Sequence, residues 1–224
     1  RAAGGRPGAG HAAETGCRAF GSPAELAAAC DFIVTCVPAD DDLLAVIDAL
    51  RPALQKGAIV IDCSTVAADT ARAAAKRLAA AGGSLLDCPV SGGVEGAKNA
   101  TLAIMCGGEP GDFERARPVL AALGKTAVLM GLSGAGQATK ATNQILCAGA
   151  IQAASEAMAF AQAEGLPLDK VIEILGGGAG LDSAERFALL NEVAASLGAS
   201  MGATRVITDR GWIATSGDAD TSLE

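Results

Sequence analysis

A lysine and an asparagine three residues apart are the side chains of this sequence best suited to acid–base chemistry. Lys140 and Asn143 follow Gly134 and Gly136 at the start of the longest helical pattern in the chain, which runs to about Gly165. In a helix this spacing places both side chains on one face, where they can touch the same small molecule. An amine can exchange a proton with a reacting oxygen, and an amide can hydrogen-bond that oxygen.

The rest of this helical pattern is apolar and includes Ile145, Ile151, Met158 and Phe160. A helix that is apolar on most sides is expected to be buried along most of its length. Burial disfavours the charged form of a lysine, which suits such a lysine to proton transfer. The alternative for this segment is a surface lysine beside an asparagine, and the segment alone leaves both open.

Histidine and cysteine chemistry is disfavoured. The single histidine, His11, lies in a Gly- and Ala-rich stretch, and the seven cysteines form no C-x-x-C pair. Cysteines scattered through apolar stretches are expected to be small buried hydrophobic residues, Cys88 included, rather than disulfide partners or metal ligands. No metal site is predicted, and a hydrolase that needs a positioned histidine is improbable.

Composition narrows the function classes further. The chain has 224 residues, is 50% hydrophobic and 3% aromatic, and carries a formal net charge of −8. The negative charge argues against nucleic acid or an anionic membrane surface as the main partner. No apolar run is long enough to span a membrane and no signal-peptide pattern opens the sequence. We therefore expect a cytoplasmic protein with one large or two smaller domains.

Strand and helix patterns alternate along the first part of the chain. A capping box, Ser22-Pro-Ala-Glu25, opens the first predicted helix. The predicted strands are 31–37, 58–62, 84–87, 101–106 and 126–130. A predicted helix at 22–29 precedes the first strand, and the helices between strands are predicted at 40–50, 68–81 and 110–122. Strands 31–37 and 58–62 are expected to be covered on both faces. This alternation predicts an α/β fold with a mostly parallel, doubly wound sheet.

After Met130 the pattern becomes helical, with predicted helices at 134–165, 168–175 and 182–197. The predicted domains are a poorly ordered leader at 1–21, a partial dinucleotide-binding domain at 22–131, a helical domain at 132–198 and a weakly ordered tail at 199–224. The leader contains Gly5-x-x-Gly8-x-Gly10, but no strand pattern precedes it, so a flexible segment is favoured over a phosphate-binding loop.

The residues that follow the predicted strands are the candidates for ligand binding, because doubly wound sheets bind ligands beyond the carboxyl ends of their strands. Those that follow the first three strands are Val37-Pro38, Ser64-Thr65 and Ser91-Gly92-Gly93. The backbone N–H groups of a Ser-Gly-Gly turn, beside its hydroxyl, can hold a carboxylate. The alternative is that this segment is simply a turn.

Three motifs in order, Asp87-Cys-Pro-Val-Ser-Gly-Gly, Thr101-Leu-Ala-Ile-Met-Cys-Gly-Gly and Gly134-x-Gly-x-x-x-Lys140-x-x-Asn143, resemble those of the β-hydroxyacid dehydrogenases. This family includes 3-hydroxyisobutyrate dehydrogenase and the tartronate, glyoxylate and succinic semialdehyde reductases. The resemblance covers roughly 22–180. It implies an N-terminal Rossmann domain, an all-helical C-terminal domain joined to it by a long helix, NAD or NADP as cofactor, and a short 3-hydroxy acid or its semialdehyde as substrate. It also makes a homo-oligomer plausible.

The resemblance also implies roles for individual residues. Lys140 matches the catalytic lysine, and Asn143 matches an asparagine that helps to hold the substrate. Ser91, Gly92 and Gly93 match the turn that binds the substrate carboxylate. The positions that match the cofactor side are Val37, Pro38 and Thr65.

One expected feature is missing from the resemblance. The family begins with a strand and Gly-x-Gly-x-x-Gly directly before a helix, and this sequence lacks that pattern. The match begins about one βαβ unit late, so the Rossmann sheet is expected to be incomplete and the sequence to be a fragment. Two functions follow: an NAD(P)-dependent oxidoreductase, or a non-catalytic dehydrogenase-like fragment that acts only through protein contacts.

Overall fold

The structure, a computed structural model, describes residues 16–176, 206–207 and 213–214. His11, most of the predicted leader and the helix predicted at 182–197 lie outside these ranges. The chain divides into two compact units. The first comprises Arg1–Gly92 and Gly96–Ala141, and the second comprises Gly93–Glu95 and Thr142–Glu224.

The described elements follow the predicted alternation closely. The helices are α1 (Pro23–Ala27), α2 (Asp40–Leu50), α3 (Ala68–Ala79), α4 (Gly93–Lys98), α5 (Pro110–Leu123), α6 (Ala135–Ala163) and α7 (Leu168–Gly176). The strands are β1 (Phe32–Thr35), β2 (Ile59–Asp62), β3 (Ser84–Asp87), β4 (Val90–Ser91), β5 (Leu102–Gly107), β6 (Gly124–Gly131), β7 (Val206–Ile207) and β8 (Ile213–Ala214). The predicted capping box is present, because Ser22 Oγ accepts the N–H of Glu25 at 3.2 Å.

The first six strands form one sheet, in the order β1-β2-β3-β5-β4 with β6 paired to β5. Strands β1, β2 and β3 are parallel, but β5 runs antiparallel to β3 and β4. Three of the five strand pairings of this sheet are parallel, in agreement with the predicted α/β fold, and the two antiparallel pairings both involve β5. The connection from β4 to β5 contains only the short helix α4, which is too short to cross the sheet and return parallel. The longer helix α5 does cross, and β6 is parallel to β5.

Helices cover both faces of this sheet. On one face, Ile47 of α2 and Leu78 of α3 pack with Val60 and Leu85. On the other, Phe113 and Leu120 of α5 belong to a cluster with side chains of β2, β3 and β5. Strand β2 is buried throughout, as predicted. The same prediction is wrong for β1, because Val34 is 46% exposed at an edge of the described sheet.

In the second unit, Ala154 and Met158 of α6 pack against Val171 and Ile172 of α7. The prediction that the long helix is buried along most of its length is wrong for the described residues. Side chains at Ile145, Leu146, Ile151 and Phe160 are between 44% and 73% exposed. The apolar residues of α6 lie on several sides of the helix, whereas α7 covers only one stripe of it.

No helix of the described residues combines the length and apolar character needed to cross a bilayer. The described part of the chain also contains no group of three or more side chains able to hold a metal ion.

Candidate active site

Asp87 fixes the start of the helix that carries Lys140. Its buried carboxylate, at the end of β3, accepts the backbone N–H of Gly134 at 2.7 Å and that of Gln137 at 3.1 Å. These N–H groups belong to the first turn of α6, which has no intrahelical acceptors for them. Burial raises the pKa of Asp87, and the two N–H bonds oppose this rise by stabilising the carboxylate.

The glycines of Gly134-x-Gly136 allow the helix to approach the strands this closely. A Cβ atom at Gly136 would overlap the backbone carbonyl oxygens of Asp87 and Met105. Gly134 has a φ of +90° and lies beside the guanidinium of Arg72. The glycine spacing in the sequence therefore reflects a tight contact between the helix start and the ends of β3 and β5.

Lys140 and Asn143 both lie on α6, as predicted, and both are half-buried. The sequence predicted a lysine desolvated by burial, and the structure buries Lys140 only in part. The Nδ2 group of Asn143 contacts side chains of its own helix, Gln144 Oε1 at 3.1 Å and Cys147 Sγ at 3.7 Å. Neither of these contacts is an ion pair, so the amide can exchange them for a ligand at little cost.

Thr65 lies exposed on the loop after β2, and the first turn of α6 holds this loop from both sides. The Nε2 group of Gln137 donates to the carbonyl oxygen of Ser64 at 2.8 Å. Its Oε1 atom accepts the N–H of Val66 at 3.2 Å. The residues on either side of Thr65 are thus bound to a side chain one helical turn before Lys140.

The loop that carries Val37 and Pro38 is joined to the same network. The N–H of Val37 donates to Ser64 Oγ at 2.8 Å, and Ser64 Oγ donates to Asp62 Oδ1 at 2.7 Å. Thr35 Oγ1 donates to the same carboxylate oxygen at 2.8 Å. These contacts form because the ends of β1 and β2 are parallel neighbours.

Asp62 is fully buried, and its Oδ2 atom has no hydrogen-bond partner among the described residues. Burial raises the pKa of Asp62, and the hydrogen bonds from Ser64 and Thr35 act against that rise. A buried carboxyl group with one unsatisfied oxygen costs stability when it is ionised.

Ser91, Gly92 and Gly93 lie where β4 ends and α4 begins. Gly92 has a φ of +130° and Gly93 a φ of +61°, values that favour glycine. A Cβ atom at Gly92 would also press on the side chain of Leu102. The geometry explains the two glycines, and the binding of a carboxylate by this turn stays a prediction.

Cys88 is part of the core, as expected. It is fully buried beside Cys106 in the cluster under α5. The hydrogen bond with Cys106 and burial raise the pKa of the Cys88 thiol, so this side chain remains protonated and unreactive.

The predicted cofactor-side residues suit a dinucleotide. Val37-Pro38 and Thr65 follow adjacent parallel strands, at the edge where doubly wound sheets bind nucleotides. Thr65 and Pro38 are exposed, so a hydroxyl group and an apolar ring are available to a ligand. The residues present therefore fit one side of an NAD(P) molecule.

The sheet and the loops at this edge are those of an α/β protein of the doubly wound type, in which nucleotides bind beyond the strand ends. A family model for the NAD-binding domain of 6-phosphogluconate dehydrogenase matches residues 7–134. A second, the NAD-binding domain of NADP-dependent 3-hydroxyisobutyrate dehydrogenase, matches residues 134–197. The chain belongs to the β-hydroxyacid dehydrogenase family. The matched domains agree with the expected NAD or NADP cofactor.

Relatives in sequence and structure agree with this family. An uncharacterised oxidoreductase of Shewanella frigidimarina is 40% identical over 161 residues, which make up 70% of this chain and 55% of that protein. The mitochondrial 3-hydroxyisobutyrate dehydrogenase of Drosophila melanogaster is 34% identical, over 75% of this chain and 52% of that enzyme. A structure of Mycobacterium tuberculosis 3-hydroxyisobutyrate dehydrogenase with L-serine has a TM-score of 0.72 at 34% identity. That alignment covers 77% of this chain and 60% of the mycobacterial chain. The chain spans about half the length of the curated relatives it matches.

Sequence reasoning missed three of the residues that organise this site. Asp62 was visible only as a polar residue at the end of an apolar strand, and Asp87 as the first residue of a family motif without a role of its own. Gln137 was visible only as a helical residue between Gly136 and Lys140. A charged residue that ends a buried strand does signal a group that needs partners. The sequence contains no signal for which backbone groups Gln137 binds, because they lie 71 and 73 residues away.

Proposed function

We propose that this chain is the dinucleotide-binding and lysine-bearing part of an NAD(P)-dependent oxidoreductase that interconverts a small 3-hydroxy acid and its semialdehyde. The observation that carries the proposal is the hydrogen-bond network from Val37 through Ser64 to Gln137. It ties two loops of the predicted cofactor edge to the helix of Lys140, an arrangement that a non-catalytic fragment does not need.

The reaction requires one acid–base group in addition to the cofactor. Bound NAD(P) supplies hydride transfer at the substrate carbon. In the oxidation, the hydroxyl group of the substrate loses its proton to Lys140 Nζ while the carbon loses a hydride, and the reduction reverses both transfers. A half-buried lysine can reach a substrate and still exchange the proton with water.

The remaining predicted residues orient the substrate. Asn143 hydrogen-bonds the reacting oxygen or the substrate chain, and the Ser91–Gly93 turn holds the carboxylate. Fixing both ends of a short acid presents a single carbon for reaction. The mycobacterial relative was solved with L-serine, which is itself a 3-hydroxy carboxylic acid. Short 3-hydroxy acids are therefore the substrate class to test first.

Titration of the chain with NADPH and with NADH, followed by fluorescence and calorimetry, tests the proposal. We expect saturable binding of at least one cofactor, and oxidation of one acid from a panel of L-serine, 3-hydroxyisobutyrate and glycerate. A folded chain that binds neither cofactor at millimolar concentration would contradict the proposal and support the alternative, a dehydrogenase-like fragment that acts through protein contacts.

A further inference from the structure

Gln137 is the one residue of α6 whose side chain bonds the backbone of the Thr65 loop in two places. The side chain is 3% exposed and uses both of its amide atoms. Its Nε2 donates to Ser64 O at 2.8 Å, and its Oε1 accepts from Val66 N at 3.2 Å. We refer to this pair of bonds as the Gln137 clamp.

The clamp matches the chemistry of an amide. Holding a loop through a carbonyl oxygen on one side and an N–H on the other requires a donor and an acceptor at the end of one side chain. A carboxylate offers no donor and an amine offers no acceptor. The clamp also leaves the side chain of Thr65, which lies between the two bonded residues, exposed and available to a ligand.

The same residue is fixed at its own backbone. The N–H of Gln137 donates to Asp87 Oδ2 at 3.1 Å, so the first turn of α6 cannot move without breaking that bond. Lys140 lies three residues further along the helix, which places it on the face of Gln137 one turn later. A rigid turn therefore connects the Thr65 loop with the catalytic lysine.

We propose that Gln137 is a positioning residue that holds the cofactor-side Thr65 loop at a fixed place relative to Lys140. This role rests on the proposed function, because it concerns the alignment of the cofactor with the lysine. It goes beyond that function because it assigns the spacing between the cofactor-side loop and Lys140 to a buried residue that bonds this loop. A displacement of about 1 Å between reacting groups can lower a rate roughly 100-fold.

The test compares Gln137→Met, which keeps the length of the side chain but removes both hydrogen bonds, with the unaltered chain. The matched control is Gln152→Met, on the same helix, where the amide is exposed and bonds the exposed side chain of Glu156 one turn away. Amide hydrogen exchange of Val66, measured by NMR without cofactor, reports on the clamp itself. We expect exchange at Val66 to be roughly tenfold faster or more in Gln137→Met, and unchanged in the control.

The second readout is functional and is restricted to folded protein, as verified by circular dichroism at the assay temperature. For Gln137→Met we expect a roughly 10- to 100-fold lower kcat/KM together with weaker NADPH binding. A residue that served only stability would lower the melting temperature and leave both constants of the folded fraction unchanged. That result would overturn the proposal.

Gln137→Glu supplies a conservative variant whose hydrogen bonding depends on pH. A protonated carboxyl group reproduces the donor and acceptor of the amide, and the ionised form loses the donor towards Ser64 O. Asp87 accepts the backbone N–H of residue 137, and Asp62 accepts the hydroxyl of Ser64, so a negative charge on either group favours the protonated form. At pH 5 we expect the kcat/KM of Gln137→Glu to approach that of the unaltered chain, and at pH 8 to approach that of Gln137→Met. Each variant is normalised to the unaltered chain at the same pH.

The outcomes separate this inference from the proposed function. If the unaltered chain binds no cofactor, the proposed function fails and the positioning role fails with it. If the unaltered chain binds and turns over while Gln137→Met matches it in affinity and kcat, only the positioning role is overturned. If amide hydrogen exchange at Val66 is unchanged in Gln137→Met, the Gln137 clamp does not hold the Thr65 loop and the positioning role is overturned.

Discussion

The carboxylate of Asp87 accepts the backbone N–H of Gly134 at 2.7 Å, although the two residues lie 47 positions apart in the chain. Through this bond and its companion to Gln137, a side chain at the end of β3 serves as the cap of the longest described helix. The position of the first turn of α6, one turn before Lys140, is therefore determined at the edge of the sheet.

Replacing Asp87 with alanine should destabilise the chain. The substitution leaves two N–H groups of the helix start without an acceptor, and we expect a loss of roughly 2 to 4 kcal/mol in the free energy of unfolding. Urea denaturation at pH 7 measures it. Asp169→Ala removes an exposed acidic residue from the first turn of α7 and should change the stability little. Equal effects of the two substitutions would argue against the capping role of Asp87.

A methyl group at Gly136 should be far more damaging than one at Gly149 on the same helix. At Gly136 it would overlap two backbone carbonyl oxygens that cannot move aside, and we expect a loss of about 3 kcal/mol or more. At Gly149 nothing lies within 4 Å, so the higher helix propensity of alanine should raise stability by about 0.5 to 1 kcal/mol. Thermal melts of both variants compare them directly, and a tolerated Gly136→Ala would contradict the tight contact.

Substituting Lys140 with alanine should abolish turnover and leave cofactor binding nearly intact. The loss of the acid–base group should lower kcat by roughly 100- to 10,000-fold. Lys56→Ala is the control, because Lys56 is exposed in the loop before β2, at the opposite end of that strand from Thr65. Steady-state kinetics with cofactor titrations separate the two effects. Retained turnover in Lys140→Ala would refute the assignment of Lys140.

The buried carboxyl group of Asp62 should make the chain less stable as the pH rises. Burial raises the pKa of Asp62 in the folded chain, so the folded state holds this proton more tightly than the unfolded state. The contribution of Asp62 to stability is fully present below the pKa that this group has in the unfolded chain. It is lost as the pH rises through the pKa of Asp62 in the folded chain. Asp62→Asn, which keeps an acceptor for Thr35 and Ser64, should remove this loss, so its stability relative to the unaltered chain should increase with pH.

Asp40 provides a control, because its contribution to stability should change with pH in the opposite direction to that of Asp62. The hydrogen bond from Thr70 lowers the pKa of Asp40, so this carboxylate contributes stability above its unfolded pKa and loses it as the pH falls. Asp40→Asn should therefore fall further below the unaltered chain as the pH rises. Urea denaturation of the three chains from pH 4 to pH 8 measures both trends. Parallel pH profiles for Asp62→Asn and the unaltered chain would contradict the assignment to Asp62.

The sequence was sufficient to predict the helices and strands, but it did not predict several of the contacts between them. A continuous apolar run predicted β2 and its burial, and glycine breaks near Gly134 and Gly165 predicted the limits of α6 within two residues. The reversed direction of β5 depends on pairing between distant segments, which local periodicity does not encode. The burial of Ile145 was wrongly predicted. An apolar helix surface suggests burial, but the helix sequence alone does not show which other segment packs against it.

The predictions for the site also depend on the difference between local sequence patterns and tertiary contacts. The family motif led to the predictions for Lys140 and Asn143 because both positions belong to one short pattern of fixed spacing. Gln137 was missed because its partners, Ser64 and Val66, become its neighbours only when the first turn of α6 packs beside the loop after β2. What the sequence encodes locally is the chemistry of each residue, and the tertiary contacts decide which of those residues act together.

The bonds between Gln137 and the Thr65 loop also have a thermodynamic consequence. A ligand that binds only the loop in its clamped form must stabilise the docked start of α6 by the same free energy, since the two processes are linked. The midpoint of heat-induced unfolding should thus rise with the logarithm of ligand concentration. A fluorescent-dye melting assay could then rank candidate nucleotides by their effect on the fold, without any knowledge of the substrate.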